Sequence, residues 1–187
     1  MAVNKYVGDY RLIEELDERG RIRTRTEYIG KAYYHVMPAR DVKRAMIEAG
    51  VAAVVMWALW IGAMVLPSTG MHSWFISLPF MAMAVPMFLL TETIFTVRPG
   101  RDPFERRHAE RQNNRYPQTA VIIIAFAVFT LIAWFVSYLL GMEIVTGDGV
   151  FILCTLLIIA TSAFIFAKRR CFALLSDETG DGESREV

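Results

Sequence analysis

Cysteine is scarce in this 187-residue chain, which has only Cys154 and Cys171. One lies inside an apolar run and the other just beyond it, so neither a disulfide framework nor a cysteine metal cluster is expected. Histidine is almost as rare: His35, His72 and His108 are far apart, and no shared metal site follows. The chain has no Gly-rich phosphate loop, no Cys-x-x-Cys pair and no Ser/His pair inside an apolar run. Phosphate-loop, thiol-oxidase and intramembrane-protease chemistry are thereby excluded, and neither catalysis nor a cofactor is expected. Net charge is nearly absent as well, with 20 Lys and Arg against 19 Asp and Glu. Acids are mixed with the cations throughout the polar stretches, which leaves no basic face for nucleic acid.

The chain does have apolar residues in abundance, 55% of the total. They fall in four blocks, about 46–66, 74–97, 117–140 and 149–167, and none of the blocks contains Lys or Arg. A membrane helix needs about 20 such residues to cross about 30 Å of hydrocarbon. The expected fold is an all-α integral membrane protein, a four-helix transmembrane bundle with a small N-terminal β-hairpin. No cleavable signal peptide is expected, because the first 45 residues are polar and the first apolar block is too long for one.

Orientation follows from the cations. Ten precede the first block, six lie between the second and third, and four follow the last. The connections 67–73 and 141–148 hold none. By the positive-inside rule both termini are expected in the cytoplasm and the protein in the cell membrane.

The polar parts carry local signals. Residues 9–17 and 21–29 flank Glu18-Arg19-Gly20, a three-residue hairpin loop with Gly at the left-handed position. Pairing residues whose numbers sum to 38 puts Tyr10, Leu12, Leu16, Ile22 and Tyr28 on one face. The other face joins Asp17 with Arg21, Glu15 with Arg23 and Arg11 with Glu27, all opposite charges. A lone hairpin is marginal in water, so its apolar face needs cover. Residues 31–36 either extend its second strand or turn toward the membrane. Asp41 reads as the N-cap of a helix entering the first span. Asp102-Pro103-Phe104-Glu105 is a capping-box arrangement, predicting a loop helix over 103–114 that breaks at 113–117. The acidic, Gly-containing stretch after Leu175, within the tail 168–187, is expected to be disordered.

Each candidate site has a plain alternative. Glu92, an ionisable group within the second span, is a candidate proton or cation site. The alternative, favoured by its distance from the span centre, puts it at headgroup depth against a cytoplasmic Arg. Pro79 and Pro86 share one face of the same span and kink it, with Met83 and Met87 as a soft lining. A tolerated kink packed in the bundle is the plainer reading. Ala45, Ala49 and Ala53, Ala58 with Gly62, and Ala163 with Ala167 have the spacing of close-packing faces. Trp57 and Trp60 read as packing residues and Trp74 as an interface anchor. Arg106, Arg107, Lys168, Arg169 and Arg170 flank spans and are expected to contact anionic lipid.

Two functions remain. The first is a non-enzymatic accessory subunit that presents its hairpin and loop helix to a protein partner, or to a second copy of itself, through Tyr10, Leu12, Leu16, Ile22, Tyr28 and Phe104. The second is a small oligomeric transporter or channel for an apolar or amphipathic solute or a proton-coupled substrate, with its path along Glu92, Pro79, Pro86, Met83 and Met87.

Overall fold

The computed structural model describes residues 7–16, 22–97, 104–141, 143 and 145–176. Strands β1 (Tyr10–Leu16) and β2 (Ile22–Tyr28) come first, then a short strand β3 (Tyr33–His35). Helix α1 (Ala39–Val65) leads to the turn α2 (Thr69–His72) and to the pair α3 (Trp74–Ala82) and α4 (Ala84–Thr96). Helix α5 (Arg106–Leu139), helix α6 (Thr146–Ala167), a 3-10 turn over Lys168–Phe172 and strand β4 (Leu174–Ser176) follow. Four helical segments, counting α3–α4 as one, are long and apolar enough to cross a membrane.

The hairpin has the register expected from charge pairing, from Tyr10 opposite Tyr28 to Leu16 opposite Ile22. Its turn, including Asp17, Gly20 and Arg21, lies outside the described residues, as does the tail from 177.

Helix α1 starts at its N-cap Pro38, so Asp41 lies in the first turn rather than at the cap. The fixed φ of proline suits a helix start, and an acid there still opposes the positive end of the dipole. Val42, Ala45, Ala49, Ala53 and Met56 form the buried face of α1. The small side chains among them permit its packing on α6. Ala58, Gly62, Ala163 and Ala167, which have the same spacing, are exposed instead. Ala58 is five residues past Ala53, about 140° around the helix, which turns it away from that face.

The second span breaks at Met83, between α3 and α4. Pro86 has no N–H to offer the Ala82 carbonyl, and its ring crowds that group. At the third position of α4 its missing donor costs little, since first-turn N–H groups lack helical partners in any case. The Pro79 and Met83 carbonyls still accept from the Met83 and Met87 N–H groups, at 3.2 and 3.1 Å, so the chain kinks without unravelling.

The expected break before the third span is absent. Helix α5 is continuous through Pro117, and it begins at Arg106 with Glu105 as N-cap. Asp102 and Pro103 lie outside the described residues. Helix α5 starts late because Phe104 is in an antiparallel bridge with Tyr33, N–H to carbonyl at 2.8 and 3.1 Å. Proline costs a helix about 3 kcal/mol, and the 3-10 turn with β4 braces α5 on the residues before it. Gln112 Nε2 donates to the Phe172 carbonyl at 3.0 Å, and the Tyr116 hydroxyl donates to the Ile165 carbonyl at 2.8 Å.

At the end away from the hairpin, Gly147 at the start of α6 meets the Pro67 carbonyl so closely that a Cβ would overlap it. The helix there is capped by Asp148, whose carboxylate accepts from the Val145 N–H at 2.9 Å.

Candidate functional site

The hairpin end of the bundle is built from three distant parts of the chain. Residues 31–36 neither extend β2 nor simply lead to the first span. Their strand β3 pairs antiparallel with β4, His35 opposite Leu174 and Tyr33 opposite Ser176. The other contact of Tyr33 is the bridge to Phe104, and the His35 and Phe104 rings meet edge to face at 5.0 Å. Strand β4 is clamped in turn by Asn113 of α5. Its Nδ2 donates to the Leu174 carbonyl at 2.8 Å, and its Oδ1 accepts from the Leu174 N–H at 3.0 Å.

Two tyrosines fasten the base of the hairpin to the same assembly. The Tyr10 hydroxyl donates to Glu105 Oε2 at 2.6 Å. The Tyr28 hydroxyl accepts from the Arg106 N–H at 2.8 Å and donates to the Lys31 carbonyl at 2.9 Å. Their rings touch edge to face at 5.3 Å. The hydrogen bond to the Glu105 carboxylate pushes the Tyr10 phenol up to about 12, since ionisation would set two negative groups together. Burial raises Tyr28 as well. Gly30 is needed beside this joint, because a side chain there would strike the Tyr28 ring and Asp9.

The six residues expected to dock a partner therefore differ in placement. Tyr10, Tyr28 and Phe104 are half-buried and engaged within the assembly. Leu12 is 70% exposed, and Ile29, Tyr34, Val36 and Leu175 add further exposed apolar surface at this end. Leu16 and Ile22 pair at the distal end of the hairpin.

The span-flanking cations also separate. Arg106 pairs with Glu110 at 2.8 Å and Lys168 with Glu48 at 2.6 Å, the latter tying α6 to α1. Arg107 is exposed. Arg169 lies over the Phe166 ring, 4.2 Å from its centroid, and Arg170 is exposed beside it.

Glu92 meets Arg111 of α5 at 2.6 Å, both side chains over a third exposed. Pro79, Met83, Pro86 and Met87 are all buried, so the kink faces the bundle and the methionines fill it. Glu92 and the kink are thus not brought together into one path. Two donors on α1 brace the broken span. Trp60 Nε1 donates to the Phe80 carbonyl at 2.9 Å, and Trp57 Nε1 donates to Thr91 Oγ1 at 3.1 Å. Sequence reasoning weighed these tryptophans as packing, lipid-contact or ligand-stacking residues and gave them no hydrogen-bonding role. Their spacing of three, opposite a two-proline span, was the available signal. Gln112 and Asn113 carried no comparable signal, because their partners are backbone groups some 60 residues along the chain, and the Tyr10 hydroxyl that Glu105 accepts from is 95 residues away.

Among the described residues no group of three or more His, Cys, Asp or Glu could hold a metal ion. No protein-family model, curated protein or solved structure matches this chain.

Proposed function

We propose that the chain is a multi-pass cell-membrane protein with both termini in the cytoplasm, and that it acts without catalysis as an interaction subunit. It presents the hairpin and the β3–β4 junction to a protein partner. The observation that carries this reading is the construction of the hairpin end. Segments near residues 10–35, 104–116 and 172–176 are fastened together by side-chain bonds, yet Leu12, Ile29, Val36 and Leu175 stay exposed. A short polar linker between spans needs no such framework, whereas a docking surface needs rigid support for its exposed residues. The lack of any Lys or Arg in 67–73 and 141–148 supports the orientation.

Deleting 7–29 is expected to leave the four helices inserted and to abolish co-purification of the partner. Unchanged co-purification would remove the hairpin from the role. Aqueous maleimide applied to intact and to inverted vesicles tests orientation, with Cys171 expected to react only from the cytoplasmic side.

The helix break at Met83 favours a second reading, a small transporter or channel whose second span flexes. On that reading Glu92→Gln abolishes pH-dependent flux in liposomes, and equal flux rejects Glu92 as the coupling group.

A further inference from the structure

The exposed face of α5 carries a trough that changes character along its length. At the hairpin end a pocket of about 250 Å³ is bounded by Gln112, Asn113 and Pro117 of α5 and by Arg169 and Arg170 of the 3-10 turn. Among the described residues no carboxylate lines it. Pro117 also borders an apolar hollow of about 350 Å³ shared by Val121, Ile122 and Phe166. Ile122 in turn borders a third, of about 690 Å³, between Phe126 and Phe129 of α5 and Trp74 and Leu78 of α3.

The three hollows share lining residues and run in one direction, from cationic to apolar. Arg169 stands at the transition, its guanidinium stacked on the Phe166 ring that walls the middle hollow. Neither Arg169 nor Arg170 is paired with a carboxylate among the described residues, unlike Arg106 and Lys168. From Pro117 to Phe129 the helix rises about 18 Å, close to the roughly 15 Å of one hydrocarbon leaflet. We infer that this trough binds one anionic phospholipid of the leaflet nearest the hairpin end. The headgroup phosphate lies against Arg169, Arg170 and the Gln112 and Asn113 amides, and an acyl chain runs past Ile122 toward Phe129. The polar pocket alone would suit any phosphate. The apolar hollows that continue it are what a lipid fills and a free anion leaves empty.

The inference rests on reading the four helices as membrane spans, and the test separates the two. The full chain is purified in mild detergent, stripped of native lipid and titrated with phosphatidylglycerol, with phosphatidylcholine of the same acyl chains, and with inorganic phosphate. Native mass spectrometry reads what stays bound. One phosphatidylglycerol is expected to be retained about 30-fold more tightly than phosphatidylcholine. The double variant R169Q/R170Q is expected to erase that preference, and each single variant to reduce it about fivefold. Ile122→Trp, which blocks the junction of the apolar hollows, is expected to weaken both lipids and spare the preference. Arg40→Gln, an exposed cation outside the trough, is expected to change neither.

Equal retention of the two lipids by the unmodified chain overturns the site. So does a preference that survives R169Q/R170Q, or unweakened binding in Ile122→Trp. Displacement of phosphatidylglycerol by equimolar inorganic phosphate overturns the lipid assignment. The comparison of lipids on the unmodified chain decides the matter even where a variant misfolds. A chain that stays monodisperse without detergent overturns the membrane reading itself, whereas a detergent-dependent chain with no lipid preference overturns only the site.

Discussion

Asn113→Ala should loosen the hairpin end without unfolding the bundle. The amide of Asn113 makes two hydrogen bonds to the backbone of Leu174, at 2.8 and 3.0 Å. Each is worth about 1 kcal/mol net, so the substitution removes about 2 kcal/mol from the attachment of β4 to α5. The residue is exposed and sits at the edge of the apolar blocks, so the global core is untouched. Strand β4 is three residues long and its partner β3 is no longer, and so short a pair does not persist without support. The loss should therefore reach β3. The Val36 N–H, which donates to the Ala173 carbonyl at 3.2 Å, should exchange with solvent about 30-fold faster. Hydrogen exchange read by mass spectrometry on peptides covering 33–36 and 172–176 measures this. Asn114→Ala, an exposed neighbour, is the control. Unchanged exchange at Val36 in Asn113→Ala would refute the idea that α5 holds the two strands together.

Trp60→Phe keeps an aromatic side chain but deletes the donor to the Phe80 carbonyl, along with part of the indole's volume. At about 0.6–1 kcal/mol for such a bond it should lower the melting temperature in detergent by roughly 1–4 °C, and Trp74→Phe should not. Tyr10 is protonated in folded and unfolded chains below pH 10.0, so its tie to Glu105 is at full strength there and fades as pH climbs toward about 12. Alkaline titration by tyrosinate absorbance should show one late-titrating group fewer in Tyr10→Phe, and loss of a group that titrates near 10.0 instead would contradict the hydrogen bond. Gly147→Ala sets a Cβ against the Pro67 carbonyl and should cost about 1–3 kcal/mol. Gly149→Ala, in open space two residues on, should be neutral or stabilising, and equal melting of the two would discount the contact.

Local pattern made some elements legible and distance hid others. The hairpin register could be read because opposite charges face each other when Tyr10 is opposite Tyr28, and a shift of one residue scatters them. The four apolar segments declared themselves by length, and the kink by two prolines seven residues apart. The run of α5 through Pro117 was not readable, because what braces it is supplied by Ile165, Phe172 and Leu174, some 50 to 60 residues away. Strands β3 and β4 were hidden for the same reason. Three-residue strands are too short to show a period, and their pairing spans most of the chain. At the candidate site the sequence exposed Leu12 and its face. It could not foretell that Tyr10 and Tyr28 would be occupied by Glu105 and Arg106.

The pairing of β3 with β4 also sets an order in time. During synthesis His35 emerges about 140 residues ahead of its partner Leu174. At about 5–20 residues per second that is a wait of roughly 7 to 30 s. Throughout it β3 lacks the strand that braces it, and the Phe104 bridge can form only about halfway through, while the helices are made one after another. The hairpin end cannot be finished until the last helix has arrived and brought β4 back beside the first. A chain truncated before Leu174 would keep every apolar segment and still lack β4, so the arrival of the last helix and the closing of the hairpin end become one event.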